Sequence, residues 1–136
     1  MRILLIEDNG PNREMISRRL ARHGYEVLTA VDGVEGVKMA QTAQPDLILL
    51  DMGLPGLDGW QVAGRIRANP ETRSLPVIAL TAHVILGDRE RALTAGCDDY
   101  EPKPVDFDRL LGKIQNLLER GGPAQVRPDA EEPAEG

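Results

Sequence analysis

Five residues combine into one chemistry: Glu7, Asp8, Asp51, Thr81 and Lys103. They offer three carboxylates, one hydroxyl and one ammonium. Crowded carboxylates repel one another, so one must hold its proton or all must share a counter-charge. A hard divalent cation resolves the conflict, because Mg²⁺ takes one or two carboxylates, keeps several waters and accepts phosphate oxygens. Asp8 and Asp51 are read as direct ligands, with the backbone carbonyl of Gly53 as a third. Glu7, one methylene longer, acts through a bound water. Asp51 then stands as a nucleophile towards phosphorus, since carboxylates form acyl phosphates. Lys103 supplies a point positive charge for the phosphoryl oxygens. Thr81 supplies a hydroxyl donor, and backbone N–H groups around Met52 and Ala82 supply more.

The elements that must position these groups are legible as short apolar runs. Glu7 and Asp8 follow Ile3-Leu4-Leu5-Ile6, Asp51 follows Leu47-Ile48-Leu49-Leu50, and Thr81 follows Val77-Ile78-Ala79-Leu80. Lys103 closes Asp99-Tyr100-Glu101-Pro102. Such runs alternate five times with helical patterns, which predicts βαβ units and a parallel sheet. In an open parallel sheet, ligands bind beyond the carboxyl ends of the strands. All five residues are expected at that edge. Taken singly, each has an ordinary explanation: Glu7-Asp8 as a helix cap, the Asp-Gly-rich loop as a turn, Lys103-Pro104 as a surface connection. Their joint placement at separate strand ends argues for a site.

The spacing predicts a first helix over residues 12–23 with Met15, Ile16 and Leu20 on one face, closed by Gly24. A second strand is expected over Glu26–Ala30, then a helix with Val34, Val37 and Ala40 as its buried stripe. The turn-rich loop from Asp51 to Gly59 leads into a third helix with Val62, Ala63 and Ile66 inward. A fourth helix, over residues 87–95, offers little apolar surface. The last helix is the strongest, with Phe107, Leu110, Leu111, Ile114, Leu117 and Leu118 at i, i+3, i+4 spacing.

Composition narrows the class. The 136 residues are 41% hydrophobic and 28% charged, ordinary for one globular domain. The apolar runs are too short to span a bilayer, and Arg2 to Ile6 reads as a strand rather than a signal peptide. Cys97, the one cysteine, excludes an intramolecular disulfide and fits a reducing cytoplasm. A net charge of −6 argues against nonspecific phosphate-backbone binding, so no nucleic-acid partner is expected. Residues 1–121 are expected to form the domain and residues 122–136 a disordered acidic tail. From Pro123 onward the tail sets Arg127 against Asp129, Glu131, Glu132 and Glu135, and Val126 is its one large apolar side chain. No output domain is expected after the last helix.

The motifs Glu7-Asp8-Asn9, Leu49-Leu50-Asp51-Met52-Gly53-Leu54-Pro55-Gly56-Leu57-Asp58-Gly59, Leu80-Thr81-Ala82 and Asp98-Asp99-Tyr100-Glu101-Pro102-Lys103-Pro104 closely resemble the receiver domain of bacterial two-component response regulators. The resemblance runs from about Arg2 to Arg120. It implies a flavodoxin-like α/β fold: a doubly wound, five-stranded parallel sheet in order 2-1-3-4-5 with five helices. It implies Asp51 as phosphoacceptor, Glu7 and Asp8 as the acidic metal site for Mg²⁺ (or Mn²⁺), and Thr81 and Lys103 as phosphoryl contacts. It further implies a cis Lys103–Pro104 peptide and Tyr100 as a switch residue moving with Thr81. Gly53 and His83 correspond to positions that modulate dephosphorylation rate. The implied donor is a histidine kinase or histidine phosphotransfer protein, and the implied reader is a downstream protein partner, with a phosphorylation-dependent dimer left open. Slow self-dephosphorylation is implied, which is regulatory turnover rather than metabolic catalysis.

Three alternatives compete with this reading. A haloacid-dehalogenase-type phosphatase needs a second acid two residues after the nucleophile, where this chain has Gly53. A phosphorylation-independent binding module leaves the complete acid, Thr and Lys set unexplained. A receiver cut from a larger hybrid kinase or regulator stays open.

Overall fold

The computed structural model describes residues 1–81, Glu90 and residues 93–119. Five strands, β1 (Arg2–Ile6), β2 (Glu26–Ala30), β3 (Leu47–Asp51), β4 (Val77–Thr81) and β5 (Asp99–Pro102), form one parallel sheet in the order β2-β1-β3-β4-β5. The described helices are α1 (Gly10–Arg22), α2 (Gly33–Thr42), α3 (Gly59–Ala68) and α4 (Phe107–Glu119). The helix expected over residues 87–95 falls largely outside the described residues.

Alternation along each strand divides the apolar residues between two faces. Ile3, Leu5, Leu47, Leu49, Ile78 and Leu80 pack with Ile16 and Leu20 of α1 and the apolar stripe of α4. Leu4, Ile6, Ile48, Leu50, Val77 and Ala79 pack with Ala40 of α2 and Val62, Ala63 and Ile66 of α3. With both faces covered, the central strands are apolar throughout, as parallel sheets require. All the polar chemistry is thereby driven to the strand ends.

Two helix readings change. α1 begins at Gly10, earlier than the spacing predicts, because Asn9 is the cap: its side chain accepts from the Asn12 amide at 2.9 Å. Glu7 and Asp8 are therefore free of capping duty. Met15 is exposed, leaving Ile16 and Leu20 as the buried face of α1. In α2 the expected stripe holds in part: Ala40 is buried and Val37 packs against the core, but Val34 is 67% exposed and the other buried positions are Gly33 and Gly36. The helix lies too close to its neighbours for larger side chains. A Cβ at Gly36 would stand 2.5 Å from the Ile6 side chain, and one at Gly33 would stand 2.3 Å from the Leu57 carbonyl. Cys97 is buried, and burial pushes its thiol up to about 12, so it behaves as a small core hydrophobe. Trp60 is half-buried against the α2/α3 side of the core.

Candidate functional site

Glu7, Asp51, Thr81 and Lys103 lie at or just past the carboxyl ends of β1, β3, β4 and β5. Glu7 leaves β1 with its amide still donating to Ala30 of β2 at 3.1 Å, so its backbone is held by the sheet. The carboxylate of Glu7 is fully buried, Asp51 nearly so, and Asp8 points to solvent. One oxygen from each of Glu7, Asp8 and Asp51 falls in a group spanning no more than 4.8 Å. On the other side stands Lys103, whose amide donates to the Thr81 carbonyl at 2.7 Å, tying the loop after β5 to the end of β4. The Lys103–Pro104 peptide is cis. Lys103 Nζ lies 3.2 Å from Asp51 Oδ1 and 3.2 Å from Glu7 Oε1.

Electrostatics confirm the crowding. Burial raises the Glu7 carboxyl, and the shared hydrogen bond and negative charge of Asp51 raise it further. The Asn9 amide at 3.2 Å and the Lys103 charge pull the other way, and the outcome is a pKa of about 7. Burial opposes the charge on Lys103, but Asp51 and Glu7 more than offset it, so the ammonium is held above its ordinary value. One ammonium does not neutralise three acids, and the oxygen-only donor set suits a hard cation.

Thr81 is buried at the end of β4. Near Met52, the Met52 amide itself donates to the Leu80 carbonyl at 2.9 Å, and the amide that faces the acid is that of Gly53, 3.0 Å from Asp51 Oδ1. Gly53 is exposed, which leaves its carbonyl accessible. Tyr100 is half-buried on β5, packed against the core, with Lys113 Nζ 5.1 Å from its ring centroid. Ala82 and His83 lie outside the described residues.

Two contributors escaped the sequence reading. Arg13, one turn into α1, donates from Nη1 to the Glu7 carbonyl at 2.9 Å and to the Asp8 carbonyl at 3.4 Å, clamping the acidic loop from behind. The only signal was an arginine five residues after Asp8. Gly59, the first residue of α3, lets that helix touch the nucleophile's loop. A Cβ there would stand 2.4 Å from Met52 Cα and 2.7 Å from the Asp51 carbonyl oxygen.

A family model described as the response regulator receiver domain matches residues 3–115. The chain belongs to this family. Among curated proteins, this receiver is similar to the DNA-binding dual master transcriptional regulator RpaA of Synechocystis sp., 40% identical over 119 residues, covering 88% of this chain and 49% of RpaA. It is also similar to the response regulator MprA of Mycobacterium leprae, 41% identical, covering 90% of this chain and 53% of MprA. The receiver thus spans about half the length of the curated relatives it matches.

Among solved structures it is similar to the receiver domain of the sensor histidine kinase PA1611 from Pseudomonas aeruginosa, solved with magnesium coordinated in the active site cleft. The identity is 41%, the TM-score 0.81, and the coverage 87% of this chain and 97% of that one. The chemotaxis protein CheY4 of Vibrio cholerae matches at 29% identity and TM-score 0.80, covering 86% of this chain and 98% of that one. RpaA is described as DNA-binding, so the expectation that this chain has no nucleic-acid partner is not supported. Among the described residues, no helix is long and apolar enough to cross a membrane.

Proposed function

We propose that this receiver is a phosphoacceptor in which Asp51 takes a phosphoryl group from a phosphohistidine on a histidine kinase or histidine phosphotransfer protein. An Asp51 carboxylate oxygen bonds to phosphorus as the P–N bond breaks, and the departing imidazole keeps the electron pair. The observation that carries this reading is Lys103 Nζ, 3.2 Å from both Asp51 and Glu7 at the rim of a three-carboxylate group. Such transfer needs positioning and charge neutralisation more than covalent assistance.

Asp8, Asp51 and the Gly53 carbonyl would hold Mg²⁺, with Glu7 reaching it through water and Mn²⁺ as a substitute. When bound, the ion supplies charge stabilisation to the phosphoryl oxygens. The magnesium in the PA1611 receiver supports this choice. The chain's own residues do the rest. Lys103 neutralises one phosphoryl oxygen, the Thr81 hydroxyl and the amides of Gly53 and Ala82 donate to others, and Arg13 keeps the acid loop in register. Met52 contributes backbone next to the nucleophile.

Phosphorylation adds nearly two negative charges and three acceptor oxygens. Thr81 shifts to donate to one of them, Tyr100 turns into the space it leaves, and the surface of β5 and α4 changes for a downstream protein partner. That biases an existing two-state equilibrium. Gly53 and His83 set the rate of slow self-dephosphorylation. The reading places this activity in the cytoplasm. A second reading, that the receiver is one part of a longer regulator or hybrid kinase, is favoured by the half-length matches to RpaA and MprA and by the PA1611 receiver.

The test is intact-mass spectrometry after incubation with acetyl phosphate, with and without Mg²⁺, beside Asp51→Asn. One phosphoryl group added only to wild type and only with Mg²⁺ is the expected outcome. No addition, together with no response of Trp60 fluorescence to beryllofluoride, overturns it in favour of a phosphorylation-independent binding module.

A further inference from the structure

One strongly charged surface has no part in this chemistry. In a chain of net charge −6, α1 carries Arg13, Arg18, Arg19 and Arg22 against Glu14 alone. Arg13 is spent on the acidic loop. Arg18, Arg19 and Arg22 are exposed, and with Pro11, Glu14 and Met15 they line a cavity of about 340 Å³ along the helix. Arg19 is already oriented, its guanidinium carbon 4.3 Å from the centre of the Phe107 ring at the start of α4. Arg18 pairs with Glu14 at 3.0 Å, but both side chains are more than 60% exposed, and such a pair exchanges readily for another carboxylate.

The chain leaves the described region next to this face. α4 ends at Glu119. Leu118 and Tyr25 pack on the same apolar cluster, and Glu119 is near enough to Tyr25 to add to the effect of burial on its phenol. Tyr25 lies two residues beyond His23, the C-cap of α1. The last described residue, Glu119, therefore lies near the Arg22 end of α1. The acids of residues 120–136, Asp129, Glu131, Glu132 and Glu135, are opposed only by Arg120 and Arg127. Fully extended, these 17 residues reach at most about 55–60 Å. The 13 residues of α1 span about 20 Å. The segment is long enough to lie along the whole arginine face.

We propose that the exposed arginine face of α1 docks this chain's own acidic segment, with the carboxylates of residues 129–135 on Arg18, Arg19 and Arg22. The contact is electrostatic and exposed, so it weakens as salt shortens the screening length below the roughly 10 Å of a 0.1 M solution.

The test uses the full chain with Cys97→Ala and a nitroxide on Ala130→Cys, observed by ¹⁵N amide spectra at 20 mM and 500 mM NaCl. At low salt the amides of residues 15–22 should lose at least half their intensity relative to the reduced label. They should recover at high salt and in a chain carrying Arg18→Gln and Arg22→Gln, whose spectrum also reports that it is folded. An Asp51→Asn chain should behave identically, which separates docking from phosphorylation. Broadening that is absent, insensitive to salt, or unchanged by the two Gln substitutions overturns the proposal. So does broadening that arises only when labelled ¹⁵N-free chains are mixed with unlabelled ¹⁵N chains, because the occupant is then a second copy.

Discussion

Glu7→Gln should make the metal-free protein more stable at neutral pH, although it removes a hydrogen-bonded, fully buried side chain from the site. The sign follows from proton linkage. Glu7 has a folded-state pKa of about 7 against an ordinary 4.5. Between those values the folded protein holds a proton that the unfolded chain has released, so stability falls as pH rises. The contribution is intact below pH 4.5 and lost once pH passes about 7. At 1.36 kcal/mol per pH unit, the whole gap corresponds to about 3 kcal/mol, of which about 2 kcal/mol falls between pH 5 and pH 8. Gln keeps the shape and cannot ionise, so the variant lacks this slope.

The assay is urea unfolding of both proteins in EDTA at pH 5 and pH 8. Taking the difference between them cancels the titrating groups remote from Glu7 and leaves the response of Glu7 together with its partners Asp51 and Lys103. Wild type should lose about 2 kcal/mol relative to the variant across that interval. Adding Mg²⁺ at pH 8 should reverse the order, because a ligand that binds only the folded state stabilises it by mass action. A wild-type-minus-variant difference that is the same at both pH values refutes the electrostatic reasoning. A difference that changes with pH but ignores Mg²⁺ refutes the metal assignment alone.

Gly59→Ala forces a Cβ to within 2.4 Å of the Met52 backbone, which cannot rotate away. It should cost about 1–3 kcal/mol in urea unfolding and slow acetyl-phosphate labelling of Asp51. Arg13→Met removes the clamp on the Glu7 and Asp8 carbonyls. Mg²⁺ affinity, read by Trp60 fluorescence, should fall by roughly ten-fold, with Arg13→Lys recovering part of it. Glu101 is fully buried and accepts from Arg109, Lys113 and the Asp106 amide. Burial opposes its charge, but these donors hold its pKa below the ordinary 4.5. Its stabilisation is therefore present above pH 4.5 and lost as pH falls through the lowered value. Glu101→Gln should destabilise by about 1–3 kcal/mol at pH 7, and the difference from wild type should shrink on acidification; a constant difference refutes the ionic account.

The strands and the residues at their ends were legible because the signals are local. A run such as Leu47-Ile48-Leu49-Leu50 bounded by polar residues admits few structures, and β2 and β5 were read with their observed bounds. Asp51, Thr81 and Lys103 needed only the rule that parallel strands deliver their carboxyl ends to one edge. The packing on the far side of that edge was not legible. In α2 the periodicity finds Val37 and Ala40 but not the burial of Gly33 and Gly36 or the exposure of Val34, because how closely the helix approaches Ile6 and Leu57 is set by the sheet and its neighbours rather than by its own periodicity.

Asn9, rather than the acids, caps α1, and only that choice leaves Glu7 and Asp8 available. Arg13 looked like any surface arginine until the turn after β1 brought the carbonyls of Glu7 and Asp8 within its reach. By itself, then, the sequence determined which groups would meet and at which edge, since strand direction and residue type suffice for that. Tertiary structure alone decided how deeply each acid is buried, which one keeps its proton and what braces it. Those properties depend on distances between segments tens of residues apart, such as the 3.2 Å from Lys103 to Glu7.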